Sequence, residues 1–347
     1  MNKKTLIAMS GGVDSSVSAK LMCDKGCDCV GAMMKLSNAT RPEDSDDARR
    51  VAESLGIPFY VFDFSDQFRA DVIDVFVRAY ENGMTPNPCV ICNRHLKFDR
   101  LMQAGRELSC EQLATGHYAR VEQDAKTGRF LLKKALDPSK DQSYVLYSLT
   151  QDQLARVQFP LGSLSKDTVR KLAFEWGFAN AQKSESQDIC FIPDGNYAEF
   201  IEEYAGSHYP EGDFIDTGGH VLGRHKGIIR YTIGQRKGLG IAFGEPMYVL
   251  RVDPQDNTVT LGTNEDLFSD TLTAKDINLI SCDRIISPLK VTAKVRYRHT
   301  EQPAVVEQLN ENTVKVVFDE PQRAITPGQA VVFYDGDVVV GGGTITT

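Results

Sequence analysis

A chain of 347 residues is long enough for two or three domains, each able to bury its own core. With 41% hydrophobic and 25% charged residues it has a globular composition, and no apolar run approaches the length that spans a bilayer. A formal charge of -8 excludes a wholly basic nucleic-acid-binding surface but leaves room for local basic patches. The first residues run straight into an expected strand without a signal-peptide profile, so a cytoplasmic location with no membrane contact is expected. In that reducing setting the eight cysteines read as thiols rather than as a disulfide framework. Cys23, Cys27, Cys29, Cys110 and Cys282 lie in or beside apolar runs and read as small buried residues.

Residues 3–21 read as strand, tight loop and helix: a short apolar run to Met9, the small residues Ser10-Gly11-Gly12-Val13-Asp14-Ser15-Ser16, and Val13, Val17 and Leu21 at four-residue spacing. Gly11 and Gly12 admit backbone conformations closed to other residues and leave N–H groups accessible to an oxyanion. The following helix turns its positive end to the same place. Ser10 and Ser15 add hydroxyl donors, while Asp14, too acidic to touch phosphate, either orients the loop or holds Mg²⁺. An ordinary strand-to-helix turn also favours small residues, but a carboxylate among two glycines and three serines has no packing purpose. The stretch lacks the Gly-Lys-Ser/Thr ending of a Walker A loop. It looks like the Ser-Gly-Gly-X-Asp-Ser loop of ATP enzymes that release AMP and pyrophosphate.

Further strands are expected over 29–34 and 58–62, a helix over 46–55 capped by Ser45 and stopped by Gly56, and an amphipathic stretch over 67–81 with Val72, Val75, Phe76 and Ala79 on one side. Such alternation implies a parallel sheet with crossover helices and a ligand crevice beyond the carboxyl ends of its strands. Pro86 and Pro88 predict an extended loop, followed by a helix carrying Phe98, Leu101, Met102, Gly105 and Leu108. Cys92 is expected at or just before that helix's N-terminus with Arg94, His95 and Lys97 after it, a setting that favours a reactive thiolate. The alternatives are half a zinc site from Cys89-X-X-Cys92, for which no second ligand pair appears, or a redox dithiol. The stretch 111–120 reads as a strand ending at Gly116 and His117, where the crevice falls, and 140–144 as a solvated loop. Ser165 is expected to cap a helix over Val169, Leu172, Ala173 and Trp176 that Gly177 stops. Cys190 enters a short apolar run, and composition alone reads it as buried; nothing at this level pairs it with Cys92.

Beyond about residue 206 short β-rich segments suggest one or two small β domains. The stretch 217–244 has no Asp or Glu but carries Arg224, Lys226, Arg230, Arg236 and Lys237. Alternation over 291–298 puts Lys294, Arg296 and Arg298 on one strand face. A basic strand face is often merely solvated. Two acid-free basic stretches in an acidic chain, one with Tyr231 and one with Tyr297, favour a surface for an RNA backbone.

The motifs Ala8 to Ser15, Asn87-Pro88 before Cys92-Asn93, Ala114-Thr115-Gly116-His117-Tyr118, Lys140-Asp141-Gln142-Ser143-Tyr144, Ser186-Gln187-Asp188-Ile189-Cys190-Phe191, Thr232-Ile233-Gly234-Gln235-Arg236, Val295-Arg296-Tyr297 and Pro327-Gly328-Gln329 run nearly end to end. Together they make the chain resemble the tRNA-specific 2-thiouridylases, bacterial enzymes of the PP-loop ATP pyrophosphatase superfamily that thiolate the wobble uridine. The two cysteine motifs are the specific part; the first motif is shared by many ATP pyrophosphatases.

The resemblance implies an α/β fold. An N-terminal parallel-sheet domain of the adenine-nucleotide alpha-hydrolase-like type (1–205) would precede a β-rich central domain (206–272) and a C-terminal β-barrel (273–347), the last two contacting tRNA. It implies ATP with Mg²⁺, the nucleotide held by Ala8, Met9, Ser10, Gly11, Gly12, Val13, Asp14, Ser15, the backbone of Met34, and Gly116. Cys190 would carry a persulfide and Cys92 would be its nucleophilic partner. Asn87, Pro88 and Cys89 would approach the target base, and His117, Lys140, Asp141, Gln142, Arg296, Tyr297 and Gln329 would contact tRNA. Sulfur would come from a persulfide-donating carrier or a cysteine desulfurase. Position 89 departs from the family, which usually has Asp there. Two other readings remain: an ATP pyrophosphatase acting on a small molecule or another RNA base, which needs no paired thiols, and a nucleotide-responsive RNA-binding protein without chemistry.

Overall fold

The structure is a computed structural model that describes residues 3–37, 42–181, 183, 189–241 and 244–347. The chain forms two compact units, one of Met1–Val72, Cys89–Gln187 and Gly336–Val340, the other of Ile73–Pro88, Asp188–Asp335 and Gly341–Thr347. Among the described residues no helix is long and apolar enough to cross a membrane.

The first unit is built on a parallel sheet. Its strands are β1 (Lys4–Ala8), β2 (Asp28–Lys35), β3 (Phe59–Asp63), β4 (Gln112–Ala114) and, after the antiparallel hairpin β5 (Ala119–Gln123) and β6 (Phe130–Lys134), β7 (Val157–Gln158). Their order is β3-β2-β1-β4-β7. β1 is central, and its Thr5, Leu6 and Ile7 are almost fully buried, as in a strand covered on both faces. Helix α1 (Val13–Asp24) packs Val17 and Met22 into the same core as Ile7, Met33 and Ala114. The chain leaves β1 toward β2 on one side while β4 lies on the other, so the loops after β1 and β4 flank the point where strand order reverses, the expected place for a ligand crevice.

Three expected elements have shifted ends. Helix α2 (Pro42–Ser54) starts four residues earlier than its reading, placing Ser45 inside the first turn, because proline at the first helical position sacrifices no intrahelical bond. The strand expected to end at Gly116 and His117 stops earlier: β4 ends at Ala114 and β5 begins at Ala119, and between them Tyr118 N–H donates to the Gln142 side chain rather than to a neighbouring strand. The extended segment expected up to Cys92 ends at Asn87. Helical residues Pro88–Cys92 lead into π-helical Asn93–Arg100 and then α-helical Leu101–Glu107, so Cys92 lies inside a helical run. Ser165 does cap Lys166–Glu175, accepting from Thr168 N–H.

In the second unit, helices Asp74–Glu81 and Tyr197–Ala205 share an aromatic cluster. Phe191 meets Phe76 edge-on at 5.4 Å, and Tyr197 stacks on Tyr80 at 4.7 Å. A small sheet follows, of β8 (Gly212–Ile215), β9 (Val221–His225), β10 (Tyr248–Asp253) and β11 (Thr258–Gly262) in the order β10-β11-β8-β9. The remaining strands are β12 (Phe268–Leu279), β13 (Leu289–Lys294), β14 (Gln302–Asn310), β15 (Thr313–Arg323), β16 (Ala330–Asp335) and β17 (Val338–Ile345). They run β12-β15-β14-β13-β16-β17, and pairing of β12 with β17 closes an antiparallel barrel. Ala293, Val306, Val316 and Phe333 share its interior face and are fully buried. β13 ends at Lys294, short of the expected residue 298. His299 N–H donates to the Arg296 carbonyl, and the resulting turn takes Arg296 and Arg298 off the strand face that alternation predicted.

Candidate active site

The loop after β1 is held from several directions. Gly11 has φ +72°, and a Cβ there would lie 2.2 Å from the Asp44 carbonyl oxygen, so neither the backbone angle nor the space admits a side chain. Ser15 Oγ donates to the Gly12 carbonyl at 2.9 Å and accepts from Ser10 N–H at 3.2 Å; Ser16 Oγ donates to the same carbonyl at 3.0 Å. Met9 N–H donates to Ala32 O at 2.7 Å, which fixes the start of the loop against β2. Gly116, in the loop after β4, presses on the first turn of α1: a Cβ there would lie 3.0 Å from the Asp14 carbonyl carbon and the Ser15 nitrogen. Ala8 to Ser15 and Gly116 are therefore brought together, with Ser10 exposed and Met34 half-buried near the carboxyl end of β2.

Four residues to which sequence reasoning gave no role complete this loop. Lys166 Nζ lies 2.8 Å from both carboxylate oxygens of Asp14, and the Tyr118 hydroxyl donates to one of them at 2.8 Å. Asn180 donates to the Gly11 carbonyl at 3.0 Å and to Ser16 Oγ at 2.9 Å; its own Oδ1 has no partner among the described residues. Lys183 Nζ approaches the Gly11 carbonyl at 3.3 Å and pairs with Asp44 at 2.6 Å and Asp47 at 2.8 Å. Burial works against the Lys183 charge, but hydrogen bonds to Asp44 and Asp47 outweigh it and raise its pKa above the ordinary lysine value. The visible clue to Lys166 was its place directly after the Ser165 cap, where a cation opposes the helix dipole and needs a nearby anion.

The loop suits a nucleotide's phosphates: small residues and accessible N–H groups at the start of a 12-residue helix. It does not suit a protein-held divalent ion. Asp14, Asp44 and Asp47 are committed to lysines, and among the described residues no group of three or more His, Cys, Asp or Glu could hold a metal. Of the two roles expected for Asp14, its contacts match orienting the loop.

Cys92 is buried in the first unit, beside Asn93, whose amide donates to the Val145 carbonyl at 3.0 Å. Asn93 is 2% exposed, and its Oδ1 has no partner among the described residues. Cys89 is exposed at its surface, yet protein crowded around it raises its thiol above the ordinary value, against the pull of Lys97. Cys190 belongs to the second unit and is exposed, against the burial its composition suggests. Ile192 N–H donates to Ile189 O, so Cys190 stands on a turn, anchored by buried Phe191 on Phe76 and Phe200. Ser186, Gln187 and Asp188 of its motif lie outside the described residues.

Four of the residues expected at tRNA, Asp141, Gln142, Arg296 and Gln329, make hydrogen bonds to backbone groups. His117 is buried between Phe98 and Phe159, its Nδ1 2.7 Å from Thr115 Oγ1, and burial, helped by Lys97, keeps its pKa well below the usual histidine value. Asp141 accepts from the N–H groups of Ala135 and Ser143, and Gln142 both accepts from Tyr118 N–H and donates through its own N–H to Tyr118 O. Lys140 is half-buried beside them. In the second unit, Gln329 Nε2 donates to the carbonyls of Thr85 at 2.8 Å and Pro86 at 3.3 Å, bracing the segment that leads to half-buried Asn87 and buried Pro88. Arg296 donates to Arg323 O at 3.1 Å, and Tyr297 is 38% exposed.

Comparison with known proteins agrees along the chain. Residues 3–194 match the family model described as the tRNA methyl transferase HUP domain. Residues 198–263 match the tRNA methyl transferase PRC-barrel domain and 269–345 the Aminomethyltransferase beta-barrel domain. The chain is 51% identical to the tRNA-specific 2-thiouridylase MnmA of Clostridioides difficile, covering 99% of this chain and 98% of that one. It is 48% identical to the protein of that name from Acetivibrio thermocellus and 47% identical to that from Lachnoclostridium phytofermentans, each covering 99% of both chains. With identity of this order sustained over nearly the whole of both sequences, the chain belongs to the tRNA-specific 2-thiouridylase family.

Proposed function

We propose that the chain is a tRNA-uridine 2-sulfurtransferase that replaces the C2 oxygen of the wobble uridine with sulfur, giving 2-thiouridine, AMP and diphosphate. The observation that carries this reading is family membership along the whole length, joined to a rigid small-residue loop at the sheet's switch point. The domain limits proposed are 1–205 for catalysis and 206–272 and 273–347 for tRNA.

A uridine C2 carbonyl is a poor electrophile because oxide leaves badly. Attack of its oxygen on the α-phosphorus of ATP expels diphosphate and turns that oxygen into part of an AMP leaving group. The loop Ala8 to Ser15, with Gly116 and Met34, holds the nucleotide, and its N–H groups face the charge that develops on phosphate. Mg²⁺ would have to come bound to the triphosphate, where it would offset part of that charge. The terminal sulfur of a Cys190 persulfide then attacks C2 and AMP leaves. Cys92 thiolate attacks the Cys190 sulfur, which releases the sulfur on the base and leaves a Cys92–Cys190 disulfide for an external thiol to reduce. His117, Asp141, Gln142 and Gln329 act by positioning the segments around the base, and Asn87, Pro88 and Cys89 approach it. The wobble base must be turned out of its stack, as single-stranded loop recognition allows. A cytoplasmic persulfide-bearing protein supplies the sulfur.

The test is AMP and diphosphate release from ATP, with and without tRNA carrying a wobble uridine. Release that depends on that uridine supports the reading. Release indifferent to tRNA, or sulfur transfer that survives serine at both Cys92 and Cys190, overturns it.

A further inference from the structure

The motif Thr232-Ile233-Gly234-Gln235-Arg236 forms a turn that is tied to itself and to two neighbours. Thr232 N–H donates to Gln235 Oε1 at 3.0 Å, and Gln235 Nε2 donates to Lys237 O at 3.0 Å, so both ends of the Gln235 side chain are spent inside the turn. Gly234, at φ +86°, donates its N–H to Val249 O at 2.8 Å, and a Cβ there would lie 2.8 Å from Ala324 Cβ in the loop that joins β15 to β16. The Thr232 hydroxyl accepts from Thr85 Oγ1 at 3.2 Å. It also hydrogen-bonds the phenols of Tyr80 and Tyr197, the stacked pair of the aromatic cluster; burial raises the pKa of both phenols, and the bond to Thr232 works against that rise. One hydroxyl proton and two lone pairs match those three partners. Thr85, in turn, is held at every polar group. Its hydroxyl goes to Thr232, its N–H donates to Pro327 O at 2.9 Å, and its carbonyl accepts from Gln329 Nε2 at 2.8 Å. Two proline rings, at 86 and 88, then fix φ on either side of Asn87, so the direction set at Thr85 carries through to that residue. A turn that only presented side chains to solvent would have no need of a hydroxyl shared among buried Tyr80 and half-buried Tyr197 and Thr85.

We propose that the turn 232–236 is a positioning element for the reaction, with Thr232 acting through Thr85 to aim the Pro86–Asn87–Pro88 segment. The assignment rests on the functional reading above, which brings that segment to the target base, and it gives the central domain a part in the chemical step besides holding tRNA. Thr232 and Thr85 are positioning residues, acting on the base through Asn87 rather than by contact. Without the shared hydroxyl, Thr85 keeps its two bonds to the barrel loop and loses the one to the turn. Asn87 is then misplaced: tRNA binds as before and sulfur transfer slows.

The experiment gives the full chain Mg-ATP, a persulfide source and wobble-uridine tRNA. It compares wild type with Thr232→Val, which keeps the shape and removes the hydroxyl, Thr232→Ser, which keeps the hydroxyl, and Thr85→Val, which removes the same bond from its other end. The readouts are the rate of sulfur incorporation at saturating tRNA, the KM for ATP, the Kd for tRNA and the melting temperature. The expected result is a rate about tenfold lower for each valine variant, with the Kd for tRNA and the KM for ATP within about twofold of wild type and the rate of Thr232→Ser restored. The double valine variant is no slower than the slower single one, because both remove one interaction. Should Thr232→Val melt early, Thr85→Val decides. Wild-type rates in both valine variants overturn the clamp alone. So does a raised Kd at unchanged rate, which makes Thr232 a direct RNA contact, or a serine variant as slow as valine, or rate losses that multiply in the double variant. A wild-type chain that incorporates no sulfur overturns the functional reading and the clamp with it.

Discussion

Lys166 sets its ammonium 2.8 Å from each carboxylate oxygen of Asp14, although 152 positions separate the two residues in the chain. Lys166 is nearly buried, and Asp14 lies in the first turn of α1, directly under the small-residue loop. The pair ties the start of one helix to the start of another and decides where the loop's N–H groups point.

Breaking this pair from either side leaves a poorly solvated charge. Lys166→Met and Asp14→Asn are each expected to lower stability by roughly 1–3 kcal/mol, less than for a fully buried pair because the Asp14 side chain is 31% exposed. The double variant recovers part of that loss, and denaturant melts of the four chains read the coupling. Additive losses would show that the two groups do not interact.

The two loop glycines are expected to part company. Gly11→Ala meets both a left-handed backbone angle and the Asp44 carbonyl, so it loses roughly 1–2 kcal/mol from the angle alone and ATP use with it. A Cβ on Gly12 has nothing nearer than Ser10 Oγ at 3.5 Å, so Gly12→Ala folds normally and raises only the KM for ATP. Thermal melts together with AMP release separate them, and equal destabilisation by both changes would refute this account of the loop.

Gln329, expected at tRNA, donates to the carbonyls of Thr85 and Pro86 and so braces the segment that leads to Asn87. Gln329→Leu should therefore lower kcat for sulfur transfer, by about tenfold for a mispositioned reactive segment, while the Kd for tRNA stays within about twofold. A large rise in Kd with kcat unchanged would return Gln329 to direct RNA contact.

His117, His225 and His299 all have pKa values lowered, in each case chiefly by burial. The unfolded chain takes up these protons near the ordinary value of 6.5 and the folded chain does not, so their contribution to stability is complete above that pH and shrinks as pH falls below it. Each such group costs about 1.4 kcal/mol per pH unit until its folded pKa is reached. Urea melts between pH 7.5 and 5.5 should show His117→Asn losing less stability on acidification than wild type, by about 1 kcal/mol per unit. Parallel curves would mean that His117 is protonated in the fold.

The glycine loop was legible because its chemistry is local: small residues follow an apolar strand, and the Ser165 cap likewise needs only its own helix. The braces were not legible, since Lys183 reaches Gly11 from 172 positions away and Gln329 reaches Thr85 from 244, separations that no spacing rule spans. Alternation misled at 291–298 because Val295 stays buried in the turn and so prolongs the strand pattern after β13 has ended. Cys190 read as buried because its apolar neighbours are buried; Phe191 and Ile192 pack inward and leave the cysteine outside.

The central claim is that Cys190 passes sulfur to an ATP-activated uridine. Mass spectrometry of wobble-uridine tRNA, after incubation with Mg-ATP and a persulfide source, compares wild type with Cys190→Ser. The account predicts exchange of oxygen for sulfur with wild type and none with Cys190→Ser. Equal exchange with both, or none with wild type while AMP still forms, would contradict it.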